Sequence, residues 1–85
     1  METKNASKLP RAQRHAVILS AAVIVANRDG LSEVTFKTTA DACNMPTKSR
    51  TVSDYFKIGE LRQAVISDSR ASAEVQTQAV AMGLK

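Results

Sequence analysis

Residues 15–61 read HAVILSAAVIVANRDGLSEVTFKTTADACNMPTKSRTVSDYFKIGEL. The stretch opens on an apolar run, Ala16 to Ala26, which ends at Asn27-Arg28-Asp29-Gly30. Eleven residues fall short of the roughly 20 that a membrane span needs. A positive lead precedes the run, but polar Asn27-Arg28-Asp29-Gly30 follow it and the remainder lacks the cysteines or size of a secreted domain, so a buried central helix is the better reading than a signal peptide. Gly30 is a natural stop, because glycine accepts a left-handed backbone after a helix end. Thr35 then offers an N-cap hydroxyl to a second helix reaching about Cys43. Asn44 tolerates positive φ and is expected to make the turn. Pro46 and Thr47 restart the chain, with Thr47 a second N-cap candidate, and a third helix is expected over about Lys48 to Tyr55. That segment, Thr47 to Ser53, is polar and basic where a core helix would be apolar.

Working outward, residues 1–9 form a polar, basic arm without periodicity, expected to be flexible. Pro10 suits the first turn of helix one, which is expected to run to Arg28. Beyond Phe56, a last helix is expected to start near Lys57 or Ile58 and to end by Met82, with Gly83 as its stop. Asp68, Ser69 and Arg70 interrupt its apolar stripe. One long helix, two helices with a break, and a helix that frays all fit the pattern. No strand pattern and no repeat is present. The expected fold class is all-α: a small helical bundle carrying a helix-turn-helix and a C-terminal helix. Residues 10–62 are read as the helix-turn-helix domain and residues 63–85 as a helical extension.

The chain has 85 residues and a formal net charge of +4. A domain of this size buries only about 60–65% of its unfolded surface, so a partner subunit would add useful core. The charge is unevenly spread. Lys4, Lys8, Arg11 and Arg14 face only Glu2 at the N-terminus, and Lys37, Lys48, Arg50 and Lys57 cluster around the third helix. The single cysteine, Cys43, excludes an intramolecular disulfide and reads as a small buried hydrophobe. The one histidine, His15, has no metal-spaced partner and reads as a solvated or DNA-flanking helix residue. There is no Cys-His or Ser-His-Asp constellation, no glycine-rich phosphate loop and no paired carboxylate, so no enzyme and no cofactor are expected.

A helix-turn-helix reader needs exposed short polar and cationic side chains, small residues on the supporting helix, and cations or helix starts that hold phosphates. Thr47, Lys48, Ser49, Arg50, Thr51 and Ser53 supply the first. Ala40, Ala42 and Cys43 supply the second. Thr35, Lys37 and Lys57 lie at or beside helix starts and supply the third, with Arg11 and Arg14 leading in and Tyr55 at the end of the reader. The rival reading is a protein-interaction adaptor or anti-repressor on the same fold. It is disfavoured by the charge, since protein-binding faces prefer aromatic and apolar anchors, and Phe36, Tyr55 and Phe56 are expected to be committed to the core.

From Arg14 to Leu61 the sequence resembles the N-terminal DNA-binding domain of the TetR/AcrR repressors. The matching residues are Ile18-Leu19, Ala21-Ala22, Gly30, Thr35, Ala40, Met45, Phe56 and Leu61. The departures are Thr39 in place of isoleucine, Asn44 in place of glycine, and Ser53 where the signature tyrosine belongs. Two extra residues separate Met45 from Phe56, one fewer separates Phe56 from Leu61, and Lys57 is the nearest substitute for the fourth-helix lysine. The resemblance implies a cytoplasmic, nucleoid-associated repressor that binds double-stranded DNA. Its members carry a second helical domain that binds ligand and dimerises. Only about 20 residues follow the DNA-binding unit here, so no small-molecule ligand is expected, because enclosed pockets need roughly 300 Å³ or more. A minimal regulator from a phage or other mobile element fits this size. A homodimer through residues 61–84 is expected, since one recognition helix covers few base pairs.

Overall fold

The computed structural model describes residues 10–44 and 47–84. It is all-helical: α1 spans Arg11–Asp29, α2 Phe36–Ala42, α3 Ser49–Tyr55, α4 Ile58–Ser67 and α5 Ala73–Ala81, with a 3-10 turn at Leu31–Glu33 between α1 and α2. No strand is present among the described residues. None of their helices is long and apolar enough to cross a membrane. The basic arm, Met45, Pro46 and Lys85 lie outside the described residues.

Helix α1 begins after Pro10, whose φ of −53° suits a helix start, and the Pro10 carbonyl accepts the Arg14 amide at 2.9 Å. It ends at Gly30, whose amide donates to the Ala26 carbonyl. The expected left-handed stop is not what forms. Gly30 has φ 110° and ψ 154°, an extended positive-φ geometry that only glycine adopts readily. The chain therefore leaves α1 extended instead of curling back, and enters the 3-10 turn. Ile18, Ala22, Val25 and Ala26 of α1 are buried, as expected of a central helix, while Ile24 is half exposed.

Thr35 caps α2 as expected. Its hydroxyl accepts the Thr38 amide at 3.1 Å, and the Thr38 hydroxyl accepts the Thr35 amide at 2.9 Å. Two orphan N–H groups of the helix start are thereby satisfied reciprocally. Asn44 does not make a positive-φ turn: among the described residues only Gly30 and Gly83 have positive φ. The N-cap of α3 is Lys48, not Thr47, and its side chain makes no capping hydrogen bond.

The last part of the chain resolves into two helices. Helix α4 stops at Asp68, whose carboxylate accepts from the Arg70 amide, Nε and Nη2 at 2.8–2.9 Å and so closes a turn. Ser72 caps α5 through the Val75 amide. At the end of α5, the Leu84 amide donates to Ala79 and the Gly83 amide to Val80, with Gly83 at φ 76°, the paired bonds of a Schellman stop.

Helix α5 folds back on the 3-10 turn, α1 and α4. The core joins Ile18, Val25, Leu31, Val34, Val52 and Leu61 to Val65, Val75 and Ala79, so it runs without a break across position 62. Polar side chains finish the docking. Gln78 Oε1 accepts the Leu31 amide at 2.6 Å, and Asn27 pairs with the Arg70 carbonyl and the Ser72 amide at 3.0 and 2.9 Å. Gln76 Nε2 donates to the Ile66 carbonyl at 2.7 Å, and Gln63 Nε2 to the Leu84 carbonyl at 2.8 Å.

Candidate nucleic-acid interface

Helix α3 buries one side chain fully, Val52, and leaves Ser49, Arg50, Ser53 and Asp54 exposed. Thr51 and Tyr55 are half-buried, as is Thr47 ahead of the helix. One anchor on a seven-residue helix leaves most of its circumference to the outside. Arg50 and Asp54, one turn apart, both point away from Val52. Lys48, Arg50 and Lys57 are exposed, and none of them forms an ion pair with a described residue. Arg28, Lys37 and Arg70, in contrast, pair with Asp29, Asp41 and Asp68 at 2.9, 3.3 and 2.9 Å. Three cations without an ion pair among the described residues, Lys48, Arg50 and Lys57, thus lie on α3 and its two flanks, with the Asp54 carboxylate among them.

Helix α2 packs against both α1 and α3. Ala40 is buried and Ala42 and Cys43 are half-buried at the core's margin, the small-residue support expected of this helix. Cys43 is not a fully buried hydrophobe. It is a free thiol at the end of α2, donating to the Thr39 carbonyl at 3.4 Å. Thr39, in contrast, is fully buried and its hydroxyl has no hydrogen-bond partner.

The linker into α2 is held from behind. Arg62 of α4 is half-buried, and its Nε and Nη2 donate to the Val34 carbonyl at 3.3 and 3.2 Å. The Thr38 hydroxyl donates to the Glu33 carbonyl at 2.7 Å. Thr35 is therefore placed by both its own cap and a cation from α4. Lys57 precedes α4, where its amide donates to Glu60 Oε1 at 3.1 Å, leaving the ammonium outward.

The sequence-predicted residues fall into distinct groups. Lys48, Ser49, Arg50 and Ser53 share the outer surface of α3, with Lys57 just past its end. The Ser53 hydroxyl already donates to the Arg50 carbonyl at 2.8 Å, so it reaches outward as an acceptor only. Thr35 and Lys37 sit at the start of α2, Lys37 paired with Asp41 one turn on. Arg11 comes to the far end of α3, its guanidinium 4.4 Å from the centre of the Tyr55 ring. Arg14 is half-buried on α1. Two features escape a sequence reading. Asp54 puts a carboxylate on the outer face of α3. His15, exposed as expected, also lays its ring 4.4 Å from that of Phe56 at an interplanar angle of 33°. The i, i+4 spacing of Arg11 and His15 against adjacent aromatics was the available signal for the second.

A shallow groove of 210 Å³ lies on another face, lined by Val17, Ser20, Ile24, Ala42, Cys43 and Asn44 among others. No cluster of metal-ligating side chains exists among the described residues. The chain matches no protein-family model, no curated protein and no solved structure.

Proposed function

We propose that this chain is a sequence-specific double-stranded DNA-binding transcriptional regulator, acting without an enzyme site or cofactor. The supporting observation is the exposed, unpaired set Lys48, Arg50 and Lys57 around a helix that buries only Val52. A helix with one buried anchor and a cationic, hydroxyl-bearing outer face suits the major groove. There Arg50 is the residue able to pair bidentately with guanine, and Asp54 is able to accept from a cytosine amine. Lys48 and Lys57 are point charges for phosphate on either side, and Thr35 and Lys37 at the start of α2 extend the same role. The resemblance to TetR/AcrR DNA-binding domains supports repression as the effect and the cytoplasm as the location.

The partner is double-stranded DNA, bound by two copies of the chain on adjacent half-sites. Within residues 61–84, Leu61, Val65, Ile66, Val75 and Ala79 are spent on the protein's own core, which leaves Val80 and Met82 as the exposed apolar residues for such a pair. A patch that small suits a weak dimer stabilised by DNA through mass action. Sedimentation with and without DNA tests this: one protomer per full site at saturation would reject the dimer. The second reading, a protein-interaction adaptor, draws on the half-exposed Ile24 and the groove beside it. A mobility-shift titration on a duplex spanning the DNA upstream of its own gene, against a scrambled duplex, separates the two. Binding to neither duplex favours the adaptor.

A further inference from the structure

We propose that Arg11 and His15 are positioning residues for α3: by stacking on Tyr55 and Phe56 they tie the first turns of α1 to the far end of the reading helix and fix its aim. The inference rests on the DNA-reading proposal and deepens it. Arg11 and His15 are one turn apart on α1 and so share a face. Tyr55 and Phe56 are adjacent, the last residue of α3 and its cap. The two contacts, guanidinium over Tyr55 and imidazole against Phe56, each span 4.4 Å. One such contact would leave α3 free to swivel about it, whereas two at a one-turn spacing define an orientation.

Helix α3 needs an outside constraint. It packs on α2, but Val52 is its one fully buried side chain and its N-cap residue, Lys48, makes no capping hydrogen bond. The backbone of α1 packs mainly on α2 and α4, so these stacks carry its influence to α3. Phe56 is buried, which makes it a fixed anchor for His15. A guanidinium is planar and weakly hydrated, so it stacks on a ring face better than an ammonium does. Arg11 therefore acts mainly through Tyr55, and only secondarily as a cation for phosphate.

Tyr55 is the chain's one tyrosine and there is no tryptophan, so intrinsic emission reports the surroundings of this ring. In the full chain, Arg11→Ala is expected to raise acrylamide quenching of Tyr55, with Arg11→Lys only partly restoring protection. On the upstream and scrambled duplexes, Arg11→Ala and Tyr55→Leu are each expected to lower the specific-over-scrambled affinity ratio about two- to fivefold, the worth of one exposed cation–π contact. The double variant should lose no more than the worse single, because both substitutions remove the same contact. His15→Ala should also lower the ratio, while His15→Phe, which keeps a ring on Phe56, should restore it. Additive losses, or an Arg11→Ala variant that binds both duplexes equally less well with a salt slope lower by about 0.9, would make Arg11 an ordinary phosphate contact and overturn the proposal. Unchanged quenching would overturn it as well. A wild-type protein with no preference between the duplexes rejects the DNA reading itself and with it the positioning role. Additive variants of a wild type that does discriminate reject the positioning role alone.

Discussion

Replacing Arg62 by methionine removes the cation that α4 sends to the start of α2. The guanidinium makes two hydrogen bonds to a single acceptor, the Val34 carbonyl, at 3.3 and 3.2 Å. Hydrogen bonds from a charged donor contribute about 1.5–3 kcal/mol each when short and buried. These are long, they share one oxygen and Arg62 is half-buried, so the pair together is worth about 1.5–2 kcal/mol. Methionine keeps most of the aliphatic stem and its packing, so little is added for lost apolar contact. At about 4–8 °C per kcal/mol for a domain of this length, the melting temperature should fall by roughly 6–16 °C. Arg62→Lys, with one rotatable charged donor, should recover about half of that. Thermal and urea unfolding measure the change, and hydrogen exchange locates it, with faster exchange expected first at the amides of Thr35 to Thr38. A drop of less than 2 °C (a fraction of the shift expected of about 1 kcal/mol), or loss of protection spread evenly over the bundle, would show that the linker is held by the core alone.

The buried Thr39 hydroxyl has no partner, so Thr39→Val, nearly the same shape, should raise stability by about 1 kcal/mol; a lower urea midpoint would mean that the hydroxyl is satisfied in solution. Gly30→Ala should cost about 1–2 kcal/mol, the strain of a side chain at φ 110° less the gain from a stiffer unfolded chain, whereas Gly59→Ala on the open surface of α4 should stabilise by about 0.5 kcal/mol. Opposite shifts in melting temperature are expected, and equal ones would remove the backbone argument. Asp68 is held down to about 2 by hydrogen bonds from the Arg70 side chain and amide. Its contribution to stability is therefore complete above the ordinary carboxylate range and is lost as pH falls from about 4 toward 2. Asp68→Asn should flatten stability over that acid window, and an unchanged acid limb would count against the Asp68–Arg70 turn as a source of it.

The bundle and its order were legible because they rest on local chemistry. Pro10 starts α1, Gly30 stops it, Thr35 caps α2 and Gly83 ends α5, each through its own backbone geometry. What was not legible depended on partners distant in sequence. The exposure of Ile24 follows from where α2 and α5 settle on α1, and no run of apolar residues encodes that. The return of α5 rests on Gln78 meeting the Leu31 amide and Asn27 meeting the Arg70–Ser72 turn, pairs that no periodicity brings together. At the candidate interface, Lys48, Arg50 and Lys57 were readable as an exposed set, because an apolar residue is missing from all but one face of α3. Arg11 with Tyr55 was not, since each alone reads as a DNA contact. The N-cap of α3 is Lys48, one residue past Thr47, and its side chain makes no capping hydrogen bond, so the hydroxyl rule that placed Thr35 did not place this start.

The most direct test is the salt dependence of binding by the full chain to the upstream and scrambled duplexes, with Arg50→Ala and a Lys48→Ala/Lys57→Ala double variant beside it. Arg50→Ala should cost about 1–3 kcal/mol on the upstream duplex and much less on the scrambled one. The double lysine variant should weaken both duplexes alike and lower the slope of log affinity against log salt by about 1.8, two phosphates' worth of counterion release. Equal affinity for the two duplexes across the salt series, unchanged by Arg50→Ala, would contradict a DNA-reading role for α3.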